Sequence, residues 1–287
     1  MKSGTVLSFV VSKVESGLCL QVYLASKLSL SKRAAKNLLD TKTVWVNRRC
    51  VWMAHHVLRH GDTVEVPAPQ KGKNSEPAAA PKIRVLVEDE HYLIADKPSG
   101  IVSAGETGSV ANILQMQFGE PNLKAAHRLD RDTTGCLLLA KSDAAFDAAV
   151  AIFKTRRVSK IYHVIVYGRF ERSVSTLQNE LDGKRAVSHI NRESSTKDAS
   201  FLKVRIETGR THQIRRHLAA IRHPVLGDRE HGFKTARDPR LLTVPRQMLH
   251  ASGLELPHPM VPGATLKAHS PLPADFRRCL QLFDMGK

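Results

Sequence analysis

Between Pro67 and Lys82 the chain reads PAPQKGKNSEPAAAPK. Proline, alanine, glycine and charge follow one another there with neither a helical nor a strand period, the mark of an extended, flexible connector. The apolar residues on its two sides must therefore be buried in two separate cores. One unit is residues 1–66; the other is residues 83–287. Two units are also what 287 residues lead one to expect. A 42% share of hydrophobic residues is ample for two cores and excludes wholesale disorder.

Charge narrows the partner. The chain carries 44 Lys and Arg against 27 Asp and Glu, a formal net charge of +17. Residues 1–66 hold 10 basic and 4 acidic side chains, the connector 3 and 1, and residues 83–287 hold 31 and 22. Per residue, the small unit is the more basic. A surplus of this size points to a polyanion, nucleic acid foremost, although it also serves solubility.

Several classes fall away. No window approaches the roughly 18 apolar residues of a membrane span, so no membrane association is expected. The apolar run Val6–Val11 is short and soon followed by Lys13 and Glu15, which argues against a secretory leader. Cys19, Cys50, Cys136 and Cys279 are scattered without a C-x-x-C pair. That fits a reducing, cytoplasmic setting and speaks against a disulfide framework or a thiolate zinc cluster. There is no H-E-x-x-H, and His212, His217 and His223 are spaced five and six apart. Two ligands on one helical face need a spacing of three or four, so no metal is expected.

In the small unit, Ser31 to Leu39 reads as a helix, with Ser29 or Ser31 as N-cap and Leu30, Ala34 and Leu38 recurring every four residues. Lys32, Arg33 and Lys36 then fall mostly on its exposed side. Strand-like Thr43–Val46 and Thr63–Val66 follow, with Asn47-Arg48-Arg49 as a basic turn after the first. Lys32, Arg33, Lys36 and Arg48 are thus candidate phosphate contacts, positioning RNA or DNA without reading bases. An ordinary solvated face is the plainer alternative.

The larger unit opens with strand-like Ile83–Val87 and Tyr92–Ala95, then a tight turn Asp96-Lys97-Pro98-Ser99-Gly100. Lys97 touches phosphate or is solvated; spacing does not separate the two. Next comes HRLDRDTTG, residues 127–135, running into Cys136-Leu137-Leu138-Leu139-Ala140. Five apolar residues after a glycine indicate a strand buried on both faces, which holds the preceding polar loop at the edge of a rigid sheet. Arg128 and Arg131 flank Asp130 and would keep its carboxylate ionised, as a nucleophile or base requires. Asp130 and Asp132 are equally eligible on this reading, and either could simply cap the turn.

Ser142-Asp143 opens a helix with Asp143 as N-cap and Phe146, Val150 and Phe153 as a core stripe. The segment Lys160–Gly168 is a β-branched and aromatic strand carrying Tyr162. In THQIRRHLAAI, residues 211–221, Gly209 supplies the turn, Thr211 the cap, and Ile214, Leu218 and Ile221 an apolar stripe. Arg215 and Arg216 lie beside the stripe, so at least one turns inward toward a carboxylate.

Two resemblances add to this. LSLSKRAAKNLLDTKTVWVNRRCVWMAHHVLRHGDTVEV resembles the small RNA-binding module first seen in a ribosomal small-subunit protein: a basic helix, a V-x-V-N turn and a closing G-D-x-V-x-V strand. Family members open with an Arg-Leu-Asp where this chain has Leu18-Cys19-Leu20-Gln21. HRLDRDTTGCLLLAKS, KIYHVIVYG and TGRTHQIRRHLAAIRHPVLGD, with LIADKPSGIV before them and RQMLHA and SPLPADF after, resemble the RluA-type pseudouridine synthases across residues 83–287. Thr134 stands where Ser is commoner, Cys136 where Leu is, and Ser103-Ala104 where Val-His often follows the first turn.

The resemblance implies an α+β fold: a mixed, mainly antiparallel central sheet with flanking helices, beside a small N-terminal α/β RNA-binding domain. It implies an isomerase that turns uridine in RNA into pseudouridine by detaching uracil and rejoining it through carbon 5, with no cofactor or metal. On that reading Asp130 is the essential carboxylate, Tyr162 lies against the flipped base and carries proton transfer, and Arg215 pairs with Asp130. Arg128 takes the place of the departed base and Leu249 belongs to the pocket wall. Large-subunit ribosomal RNA is the expected substrate, with a cytoplasmic monomer as the working form. Transfer RNA, a non-catalytic RNA-binding protein and a glycosidic or phosphodiester hydrolase are the alternatives.

Overall fold

In a computed structural model, residues 6–28, 30, 32–40, 43–67, 82–105, 107–155, 157–232 and 238–285 are described. The chain divides into two compact units, Met1–Ala78 and Ala79–Lys287. Residues 68–81 of the expected connector lie outside the described residues, as do both proposed caps, Ser29 and Ser31.

The first unit contains β1 (Val6–Val10), α1 (Leu20–Lys27), α2 (Lys32–Asp40), β2 (Trp45–Val46), β3 (Arg49–Cys50) and β4 (Thr63–Pro67). Its four strands pair antiparallel in the order β1-β4-β2-β3. Both helices pack on this sheet through Leu20, Tyr23, Leu24, Ala35 and Leu39, which are fully buried with Val44, Leu58 and Val64. Strand pairing begins at Trp45, two residues later than the expected Thr43. Asn47 and Arg48 both have positive φ, 49° and 64°, the backbone of a two-residue hairpin turn. The Asn47 side chain fixes that turn by accepting from the Thr63 amide at 2.9 Å and donating to Asp62 at 2.8 Å.

The second unit runs β5 (Val85–Glu88), β6 (Tyr92–Lys97), α3 (Val110–Phe118), β7 (Lys124–Ala125), β8 (Thr134–Ala140), α4 (Asp143–Phe153), β9 (Ser159–Tyr167), β10 (Val174–Leu181), β11 (Lys184–Ser195), β12 (Ala199–Ile206), α5 (Gln213–Ala220), β13 (Leu249–Pro257), β14 (Thr265–His269) and α6 (Ala274–Leu282). These ten strands form one sheet in the order β10-β11-β12-β9-β13-β8-β6-β5, with β14 beside β13 and β7 beside β8. Among the described residues its pairings are antiparallel except β13–β8. The α+β architecture, mixed and mainly antiparallel with flanking helices, is the one expected.

All seven residues of β8 are buried, and the five after Gly135 are the apolar run expected of a central strand covered on both faces. Leu137 and Leu139 join the core under α5; Cys136, Leu138 and Ala140 join the core under α4. The two helices begin differently from expectation. In α4 the cap is Ser142, whose Oγ accepts from the Ala145 amide at 3.2 Å, so Asp143 is the first helical residue. Ala145 and Ala149 form the fully buried part of that helix; Phe146 and Phe153 are only partly buried. In α5 the cap position is His212, with left-handed φ and ψ of 52° and 28° and no side-chain cap bond, so Thr211 caps nothing. Gln213 does the anchoring: its Oε1 accepts from the Arg210 amide and the Thr208 hydroxyl, and its Nε2 donates to the Val187 carbonyl.

Candidate active site

The loop before β8 is held from several sides. Lys97, at the end of β6, is 1% exposed and donates its three Nζ protons to the carbonyls of Pro98, Arg131 and Thr133 at 2.9, 2.7 and 2.9 Å. Neither of the sequence alternatives for Lys97 holds: it meets no solvent or phosphate and instead staples the loop to the turn after β6. Burial lowers its pKa to about 7, against the pull of the Asp132 and Asp130 charges. The Ser103 hydroxyl accepts from the Leu129 amide at 2.9 Å and donates to its carbonyl at 3.1 Å. Buried Arg246 donates to the Asp132 carbonyl at 3.0 Å while its Nε grips Asp275 of α6 at 2.7 Å. Gln247 donates to the Thr133 hydroxyl at 2.8 Å.

Asp130 stands in this braced loop, half-buried. Its charged partner comes from α5. Arg215 Nη1 donates to Asp130 Oδ2 at 3.1 Å, while Nε and Nη2 close a fork on Asp228 at 2.6 and 2.8 Å. Nη2 also meets Glu230 at 3.2 Å. A buried guanidinium needs such compensation, and the paired carboxylates raise the Arg215 pKa despite its burial. Arg128, one of the two arginines that flank Asp130 in sequence, is exposed. Of the two helix arginines, Arg215 turns inward and Arg216 pairs at the surface with Asp182 at 2.9 Å.

One pocket is lined by Arg128, Asp130, Tyr162, Arg215 and Leu249 together. Five residues spread over 122 positions of the sequence thus meet in one place, brought there by the β8 loop, β9, α5 and the start of β13. Tyr162 and Leu249 are buried, and each belongs to the core under α5. Burial raises the Tyr162 pKa, and the nearby Asp130 charge adds to it, so the phenol stays protonated at neutral pH. Asp132 lies outside this pocket; it lines a more polar neighbouring one with Arg131, Arg229, Arg246 and, shared by both pockets, Asp130, His212 and Arg215. That separates the two aspartates that the residues alone left equivalent.

In the first unit, Lys36 on α2 and Arg48 at the hairpin turn are exposed. The side chains of Lys32 and Arg33 lie outside the described ones. Among the described residues no helix is long and apolar enough to cross a membrane.

Asp228, Glu230, Lys97, Arg246 and His212 were not singled out from sequence for the roles they play here. Asp228 had a signal: an inward arginine demands a buried acid, and Asp228 directly follows Gly227 in the same motif. Arg246 and Gln247 had none, since their partners in the loop before β8 lie more than a hundred residues away.

Residues 91–220 match the RNA pseudouridylate synthase family. The ribosomal large subunit pseudouridine synthase D of Pseudomonas aeruginosa is 34% identical, the alignment covering 79% of each chain. An uncharacterized RNA pseudouridine synthase of Bacillus subtilis is 27% identical over 98% of this chain and 99% of its own. The human RNA pseudouridylate synthase domain containing 4 has the same fold, with a TM-score of 0.58 and 24% identity over 70% of this chain and 92% of that one. The chain belongs to the RNA pseudouridylate synthase family, within its RluA type, and is accordingly an isomerase acting on RNA.

Proposed function

We propose that the chain converts specific uridines of large-subunit ribosomal RNA to pseudouridine, with Asp130 as the catalytic carboxylate and the target nucleotide flipped into the pocket. The observation that carries this reading is the Asp130 carboxylate held by Arg215 in a pocket walled by Tyr162 and Leu249. The names of the relatives support the ribosomal substrate.

The chemistry follows from those parts. The nucleotide must leave its helix, at a cost of a few kcal/mol, before any group can reach the glycosidic bond. Exposed Arg128 at the pocket rim fills the gap it leaves. The guanidinium of Arg215 keeps Asp130 ionised and aimed, so the carboxylate acts at the sugar to release N1 of uracil. The freed base stays enclosed between Tyr162 and Leu249, turns, and bonds through carbon 5; carbon 5 loses a proton and N1 gains one, so the product is an isomer. The protonated Tyr162 hydroxyl serves that proton movement.

Residues 1–66 act as an RNA-binding domain, through Lys32, Arg33, Lys36 and Arg48. Residues 67–82 serve as a linker to the catalytic domain, residues 83–287. Phosphate contacts of this kind make affinity fall steeply with salt. The working form is a cytoplasmic monomer.

The test is purified protein on ribosomal RNA carrying uridine tritiated at carbon 5. Tritium release and pseudouridine on digestion are expected, with Asp130→Asn losing both yet retaining RNA affinity. Free uracil or cleaved RNA as the main product would overturn the synthase reading for this substrate; turnover surviving Asp130→Asn would overturn the role of Asp130.

A further inference from the structure

His212, which lines the pocket, converges with Glu230 and His231, and the chemistry proposed above uses none of the three. His212 Nδ1 lies 3.0 Å from His231 Nε2 and 3.4 Å from Glu230 Oε2, and His231 Nε2 lies 3.6 Å from Glu230 Oε1. Ligand atoms bound tetrahedrally at the usual zinc distances stand about 3.3 Å apart. The two ring nitrogens stand near that spacing and each has one oxygen of the Glu230 carboxylate near it; taking one ligand atom from each residue, all three lie within 4.8 Å of one another. A hydrogen bond between two imidazoles accounts for the spacing of the rings, but it does not bring the same carboxylate to both rings.

Two surroundings favour a cation. Arg215 is bonded to Asp130, Asp228 and Glu230, so three carboxylates share that one guanidinium. With Nδ1 engaged, the other nitrogen of His212, Nε2, faces Asp130 Oδ1 at 3.7 Å. A metal-bound histidine characteristically turns its second nitrogen to a carboxylate.

We infer that His212, Glu230 and His231 form a binding site for a divalent transition metal of zinc type, leaving one position open to water. The site is one of control. Metal draws Glu230 from Arg215 and fixes the His212 Nε2–H toward Asp130, which blunts the carboxylate, so bound zinc slows isomerisation. That consequence rests on the role given to Asp130; the binding does not.

Cobalt(II) titration of the full chain tests the site, followed by visible absorption. One equivalent with ligand-field bands, no thiolate charge-transfer band and displacement by zinc are expected. His231→Ala and Glu230→Gln should each weaken cobalt binding at least tenfold while the metal-free proteins keep the wild-type circular dichroism. Should His231→Ala fail to fold, Glu230→Gln decides alone. Wild-type affinity in a folded variant, or a thiolate band, overturns the proposal. In turnover assays zinc should inhibit the wild type and spare His231→Ala. If Asp130→Asn instead leaves isomerisation intact, the functional reading fails while the cobalt result stands.

Discussion

Arg215 is held by Asp228 and offered to Asp130: two of its nitrogens fork onto the buried Asp228 carboxylate, leaving Nη1 for the pocket at 3.1 Å. The division of labour predicts different outcomes for two substitutions. Arg215→Lys supplies a point charge that cannot serve both carboxylates, so turnover should fall on the order of 100-fold with KM changed little. Asp228→Ala takes away the only fully buried carboxylate among the buried guanidinium's three partners and both bonds of its fork, and should cost about 3 kcal/mol in urea unfolding. Turnover by Arg215→Lys at the wild-type rate would show that the second carboxylate needs no fork-held partner.

How much of this was legible can be read from the same residues. Five of the seven buried positions of β8, Cys136 to Ala140, follow from an apolar run after a glycine, and the braced loop leads into that interior strand. Asp130, Tyr162 and Arg215 came from resemblance; from their neighbours alone Asp130 and Asp132 were equal, because only the sheet decides which of them faces the pocket. Local capping chemistry misled at α5, where Thr211 looked like a cap. The chain instead spends a left-handed residue, His212, and a glutamine anchored to β11. Lys97 was ambiguous because two of its three carbonyl partners, Arg131 and Thr133, are brought near by pairing of β6 with β8, which no local pattern displays. The triad His212, Glu230, His231 escaped a spacing test that considers only ligands on one helix.

Ser103 makes two hydrogen bonds with the backbone of Leu129, the residue before Asp130. Ser103→Ala leaves a buried amide and carbonyl without that partner, a loss of about 1–3 kcal/mol. Because the unsupported backbone adjoins Asp130, turnover should fall while affinity for RNA stays within about twofold. Filter binding and tritium release on one preparation separate the two. An equal loss of both would place the effect on global folding.

Two glycines with positive φ predict unequal penalties. Gly135 has φ of 110°, and a β-carbon there would lie 2.1 Å from the Ala251 carbonyl oxygen, against which β8 and β13 pair in parallel. Gly100 has φ of 83° with nothing within 4 Å. Gly100→Ala should therefore cost only the backbone term, about 1–2 kcal/mol. Gly135→Ala adds a backbone clash that side-chain repacking cannot relieve, and should exceed about 4 kcal/mol or prevent folding. Thermal melts of the two variants, side by side, check the order; similar melting points would mean that β8 and β13 can part without penalty.

His127 predicts how stability responds to acid. Its Nε2 accepts the Leu138 amide at 3.1 Å, its ring stacks on Phe153 at 4.8 Å, and burial, with Lys160 adding repulsion, lowers its pKa to about 4. The unfolded chain carries the ordinary value near 6.5, so between these pH values the unfolded state binds the extra proton. The folded state's preference for neutral imidazole is therefore fully effective above pH 6.5 and is lost as pH falls toward 4. Moving from pH 7 to pH 5 should cost about 2 kcal/mol through this one group. His163, lowered by burial to about 4 as well, has the same sign. His127→Gln removes the titration while keeping an acceptor for Leu138, so the variant should lose less stability than the wild type over the same pH step. Urea midpoints at the two pH values measure it, and an undiminished loss in the variant would mean that His127 does not contribute to the acid sensitivity.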